Sequence, residues 1–114
     1  MTARLTVAFA GPHVTVQDGG RPGLARFGVP RSGAMDRLAL AAANLAVGNA
    51  PNAAAIEVSL GGLQLDCVGG PISFAVAGGG FIVEHGGHKG GSWQVATLQP
   101  GERLVIRRGP WGAW

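Results

Sequence analysis

Cysteine is almost missing from this sequence, Cys67 being the only one. No disulfide can form within the chain, which fits a reducing compartment. Charge is scarce too. Asp, Glu, Lys and Arg make up 13% of the 114 residues, against about 25% in ordinary globular domains. The surface is then built from glycine, alanine and small polar residues, or part of it is covered by a partner. Acids are outnumbered by bases, six against nine, for a formal net charge of +3. The bases are scattered, with Arg107 and Arg108 the only adjacent pair, so there is no basic stripe and nucleic-acid binding is not expected. Runs of about 18 apolar residues, enough to cross a bilayer as a helix, are absent, and no membrane segment is expected. The stretch TARLTVAFAGP after Met1 has an interrupted apolar part and leads straight into strand-like sequence, a poor secretory signal. The expected location is the cytoplasm.

Glycine is abundant, with 21 in the chain but no G-x-y period, which excludes collagen. Between the glycines lie short segments with alternating or β-branched character: Arg4 to Phe9, His13 to Gln17, Ala55 to Leu60, Leu63 to Val68, Ile72 to Ala77, Phe81 to Glu84, Ser92 to Leu98 and Arg103 to Arg107. Short strands separated by glycine turns predict a barrel or sandwich. One segment, Asp36 to Val47 (DRLALAAANLAV), reads as a helix. Asp36 can cap its N-terminus, Gly48 stands where a C-terminal glycine belongs, and Ala and Leu fill the interior. Apolar on most sides, this helix is expected to be buried, with Asn44 needing partners. Length, the absence of a linker and the lack of repeats predict that residues 1–114 form a single domain or a fragment of one.

Polar chemistry concentrates in VTVQDGGRPGLARFGVPRSGAMD, Val14 to Asp36, where glycines and prolines alternate with Asp18, Arg21, Arg26 and Arg31. Asp18-Gly19-Gly20 offers a tight turn, and Pro22 and Pro30 prevent long regular structure. A segment of this kind can hold polar side chains at fixed positions. Asp18, Arg21, Arg31, Asp36, Asn49 and Glu57 are the candidate ligand-binding residues. Each also has a structural reading: Asp18 braces the turn, Asp36 caps, Asn49 satisfies a loop carbonyl, and Arg21 pairs with a carboxylate. Glu57, opposite in facing to Ile56 and Val58, is either solvent-facing or a buried carboxylate needing a cation, with Arg21 the attractive partner. Arg21, between Gly20 and Pro22, either offers its fork of donors to a small ligand or ties the loop to Glu57 or Asp36.

Other signals are weaker. His85 and His88 in EHGGHKGG lie on a glycine-rich hairpin tip without a third metal ligand nearby in sequence, so no metal site is expected. Cys67, on an alternating strand, reads as a small buried residue rather than a nucleophile. Gly78 to Gly80 precede no Gly-Lys-Ser/Thr and open no helix. Ser32 does not sit in G-x-S-x-G. Trp93, Trp111 and Trp114 most simply fill core or interface space.

QDGGRPG, GVPRSGAMD and VGNAPNAAAIE, followed by PISFAVAGGGF, carry a resemblance. The chain resembles, over roughly residues 5 to 114, the N-terminal part of the biotin-dependent carboxyltransferase, or allophanate hydrolase subunit 2, family, which includes KipA-like regulators and a component of bacterial 5-oxoprolinase. The resemblance implies a cyclophilin-like β-barrel fold, here partial, in a mainly β chain with one buried helix. Members of that family are normally longer, so the expectation is a fragment, a split gene product or a shortened paralogue. Two functions follow from the resemblance. One is an enzyme subunit acting with a subunit-1 (KipI-like) homologue, and a LamB-like subunit, in ATP-dependent opening of 5-oxoproline or in carboxyl transfer to a urea-like amide. The other is a non-catalytic KipA-like regulatory or binding module. No biotin-attachment Met-Lys-Met and no nucleotide loop is present, so no cofactor is expected on this chain, and ATP or biotin belongs to the complex. The catalytic residues stay unassigned.

Overall fold

The computed structural model describes residues 2–59 and 62–111. The expected strand end at Leu60, Gly61 of the following turn, Trp114 and the side chain of Trp111 lie outside what is described. In chain order the elements are β1 (Arg4–Ala10), β2 (Thr15–Gln17), a 3-10 turn (Ala25–Phe27), α1 (Arg37–Ala46), β3 (Ala55–Glu57), β4 (Leu63–Val68), β5 (Ile72–Val76), β6 (Gly80–His85), β7 (His88–Gly91), β8 (Gln94–Leu98) and β9 (Arg103–Trp111). A five-stranded sheet runs β1-β4-β9-β6-β7, and two ribbons, β2-β3 and β5-β8, stand beside it. Every pairing is antiparallel.

The period of two in the sequence explains the core. On β4 Leu63, Leu65 and Cys67 are buried while Gln64, Asp66 and Val68 are less so. Register sets Leu63 against Ile106 and Leu65 against Leu104, and Val83 against Ile106. The β5-β8 ribbon adds Phe74 and Leu98 to the same cluster. Val83 and Leu98 are fully buried, and each such side chain contributes on the order of 1.5–3 kcal/mol by leaving water. The outer face carries charge. Arg103 lies opposite Asp66 in register and donates from Nε and Nη2 to its two carboxylate oxygens, at 2.6 and 3.0 Å. Arg107 pairs with Glu84 from the neighbouring strand.

The described residues are mainly β, with one α-helix, as expected. Among the described residues the sheet stays open, with β1 and β7 at its edges, so the barrel is present only in part. The helix buries a narrower face than its all-round apolar composition suggested. Ala39, Leu40 and Asn44 are buried, whereas Leu38 and Leu45 are 82% and 62% exposed. The whole of β1 is exposed, including Leu5, Val7 and Phe9. An apolar edge strand of this kind is a surface suited to being covered.

Three local readings change. The glycine-rich hairpin tip is ordered as a strand pair, with His85 opposite His88 and β7 continuing to Gly91. Backbone pairing alone builds β7, so it left no hydrophobic pattern to read. Of the two places expected for Trp93, core or interface, the core is excluded: Trp93 is 62% exposed and sits in the left-handed region, φ 65°. The strand expected from His13 begins at Thr15, because His13 takes a left-handed turn conformation, φ 62°.

Candidate functional site

Two glycine-rich runs from the opening segment fold against each other. The amide of Arg21 donates to the carbonyl of Arg31 at 2.5 Å, and that of Ala34 to the carbonyl of Asp18 at 2.9 Å. Glycine is required at this crossing. A Cβ on Gly20 (φ 83°) would lie 2.5 Å from the Ser32 carbonyl oxygen, and one on Gly33 (φ 90°) 2.6 Å from the Gly20 nitrogen. A third loop, residues 49–53 after α1, joins them where Gly19 abuts the Asn52 side chain. Asn44 ties that third loop to the helix, donating from Nδ2 to the carbonyls of Pro51 (3.1 Å) and Ala53 (2.9 Å). Its own backbone carbonyl accepts the Asn49 amide at 2.8 Å. A buried amide so satisfied fixes one loop geometry.

The three carboxylates among the candidates are all held by backbone N–H groups. Asp18 Oδ1 accepts from Gly20 (2.9 Å), Asp36 Oδ1 from Ala39 (2.9 Å) and Glu57 Oε2 from Met35 (2.7 Å). The Asp18 and Asp36 contacts are the turn brace and helix cap that the sequence suggested. The Glu57 contact is different: it links β3 to the segment leading into α1, across 22 residues of chain. None of these carboxylates pairs with Arg21. Among the described residues the ion pairs are Arg103–Asp66 and Arg107–Glu84. The expected Arg21–Glu57 pair is replaced because the loop backbone brings the Met35 amide to Glu57. Asn49 contributes its backbone amide to the loop, and its side chain forms no hydrogen bond among the described residues.

Beside this arrangement a cavity of about 220 Å³ opens between the helix, β3 and the sheet. Its wall is apolar, with Leu40, Leu63, Phe74, Phe81 and Leu104, and among the described residues only Gln17, Asp36 and Glu57 add polar side chains. Asp36 and Glu57 each have one oxygen anchored on a backbone amide and a second oxygen without a protein partner among the described residues. They are oriented acceptors at the edge of an apolar space. Such a site suits a compact ligand with an apolar body and N–H donors. Of the six candidates, the structure brings Asp36 and Glu57 to this cavity, sets Asp18, Arg21 and Arg31 on the glycine crossing, and leaves Asn49 on the loop behind the helix. Gln17 was missed; it stood on the polar face of an alternating strand, and its pairing with Ala55, two residues before Glu57, is visible only in the fold. Ser59 was missed as well. It is 1% exposed and bonds the carbonyls of Pro12 and His13 at 3.3 and 3.2 Å.

Fold and motifs together define a carboxyltransferase-type domain. The family model "Carboxyltransferase domain, subdomain A and B" matches residues 27–114, and the chain belongs to that family. Among individual proteins it is similar to the C subunit of 5-oxoprolinase from Escherichia coli (strain K12), 36% identical over 104 residues, which are 91% of this chain and 33% of that protein. It is 61% identical over 53 residues to the Haemophilus influenzae C subunit of the same name, over 46% of this chain and 17% of that one. The crystal structure of TTHA0988 superposes with a TM-score of 0.83 and 32% identity, over 96% of this chain and 23% of the other. The chain thus spans about a third or less of the length of the relatives it matches.

Proposed function

We propose that the chain forms the N-terminal part of the C component in a 5-oxoprolinase-type complex, with the cavity edge receiving a small cyclic amide. The observation that carries this reading is the 36% identity to the Escherichia coli 5-oxoprolinase protein across 91% of the chain. The site supports it chemically. A lactam ring has an apolar body that the cavity wall accommodates and an N–H that a carboxylate accepts strongly. The unpartnered oxygen of Glu57 or of Asp36 accepts that N–H, and Gln17 offers an amide to the neighbouring carbonyl. Subunit-1 and LamB-like partners supply ATP handling, for which this chain has no nucleotide loop.

The test is reconstitution of the full chain with a subunit-1 homologue and a LamB-like subunit, followed by ATP-dependent loss of 5-oxoproline. Glu57→Gln keeps an oxygen for the Met35 amide but removes the charge. It should lower turnover about tenfold or more, as expected for a lost charged hydrogen bond, with an unchanged melting temperature. Wild-type turnover in the Glu57→Gln, Asp36→Asn double variant would place the amide elsewhere. Ligand binding without turnover in the complete complex would favour a regulatory role instead.

A further inference from the structure

We infer that His85 and His88 form a chelating site for a divalent transition-metal ion, Zn²⁺ or its neighbours Ni²⁺ and Cu²⁺, across the β6-β7 hairpin. The inference goes beyond the amide reading and does not depend on it. In the sequence, two histidines on a glycine-rich tip without a third ligand argued against a metal. The fold alters this by fixing the tip. Gly86 and Gly87, at φ 50° and 82°, make the two-residue turn in which both central residues have positive φ, the tightest connection a hairpin offers. It sets His85 directly opposite His88 in register. Their ring centres lie 5.6 Å apart, with the ring planes tilted by 41°. Two imidazoles on one tetrahedral ion stand about 5 Å apart at their centres, given metal–nitrogen bonds of about 2.0–2.1 Å. The rings therefore already sit at nearly the chelating separation.

His85 is the anchored member of the pair. It is half-buried, and its ring meets Phe74 edge to face at 5.2 Å and 83°. His88 is exposed, so an ion can reach the pair from solvent. Glu102 braces the turn: one of its carboxylate oxygens accepts the Gln99 amide at 2.6 Å, and the other abuts Gly86. That places a negative charge beside the hairpin. The positive charges nearby belong to the opposite face, by the period of two along a strand. Lys89 stands opposite Glu84 in register, and Arg107 pairs with Glu84. Among the described residues no group of three or more His, Cys, Asp or Glu gathers at one point. The protein thus supplies two nitrogens, and water completes the shell. Imidazole selects zinc, nickel and copper over magnesium and calcium, which take oxygen ligands. With the second ring held in place, its bond to the ion forms intramolecularly and outcompetes a lone histidine.

The experiment uses the full chain, stripped of metal with a chelator and then dialysed against zinc chloride, with magnesium chloride as the control. One zinc per chain, saturable, and no magnesium are expected. Zinc should also raise the melting temperature, as any ligand of the folded state does. His88→Gln is the decisive variant, because His88 is exposed and takes no part in the Phe74 contact. It should weaken zinc binding about tenfold or more and lose the zinc-induced rise, with an unchanged melting temperature when metal is absent. His85→Gln should lose binding to the same extent, and His13→Gln should retain it. Electron spin resonance of the copper(II) form should show two imidazole nitrogens, and one in His88→Gln. No saturable zinc binding, undiminished binding in His88→Gln, loss of binding in His13→Gln, or a single nitrogen on copper in the wild type would each overturn the assignment.

Discussion

The sheet and the loop crossing of this molecule are held together by opposite means. In the sheet, alternate side chains of β4, β6 and β9 fill a common apolar layer, and stability comes from area taken out of water. At the crossing, side chains are excluded. Gly20 and Gly33 let two backbones touch, and single polar groups such as Asn44 and Glu57 fasten the loops. The first arrangement tolerates hydrophobic exchange of similar volume. The second tolerates almost no added atom, but it fixes polar side chains at set places, as a ligand site requires.

This contrast is broken hardest at Gly33. Gly33→Ala adds a Cβ at a positive φ and 2.6 Å from a backbone nitrogen, and should destabilise the crossing by about 4 kcal/mol from strain and overpacking together. If the two regions are held independently, amide hydrogen exchange will show lost protection around Asp18 and Ala34 with β4 and β9 amides retained. Uniform loss across the sheet would show that the crossing supports the core. Leu98→Ala makes the reverse cut. Leu98 is fully buried, and its truncation should cost about 3 kcal/mol, read as a lower urea midpoint, with the sheet amides losing protection.

The smallest effect belongs to the outer face. The hydrogen bonds and charge of Arg103 hold the Asp66 carboxyl below its ordinary value of 3.8. A lowered carboxyl stabilises the fold above that ordinary value, and the contribution is lost as pH falls through the folded one. Asp66→Asn should leave stability near neutral pH almost unchanged, because the pair is half exposed. It should also flatten the acid limb of a melting-temperature profile. A profile identical to the wild type down to the lowest pH would remove the pair from any account of acid stability.

Legibility in the sequence followed the same division. β4 appears at Leu63–Val68, the bounds its alternation suggested, because a half-buried strand writes its period into its residues. The helix was legible through its ends, Asp36 and Gly48, which act by local geometry. β9 runs past the expected Arg107 to Trp111, and the bare Cα of Gly109 serves the close approach of the Gly80 backbone. The glycine crossing was visible as an excess of glycine and charge, but its partners were not. Whether Arg21 meets Glu57 or stands beside Arg31 depends on contacts across the chain, which composition and spacing do not encode. The apolar cavity was hidden for a similar reason, since its wall residues are indistinguishable in sequence from ordinary core.

Cys67 gives the sheet a clock. Its thiol is 1% exposed, lies 3.1 Å from the Gly70 carbonyl oxygen and 3.7 Å from that of Leu98, and is the sole sulfhydryl in the chain. A thiol reagent in solution must wait for the strands around it to part. The rate at which it labels the protein therefore measures how often β4 opens, with every other residue silent and no added probe.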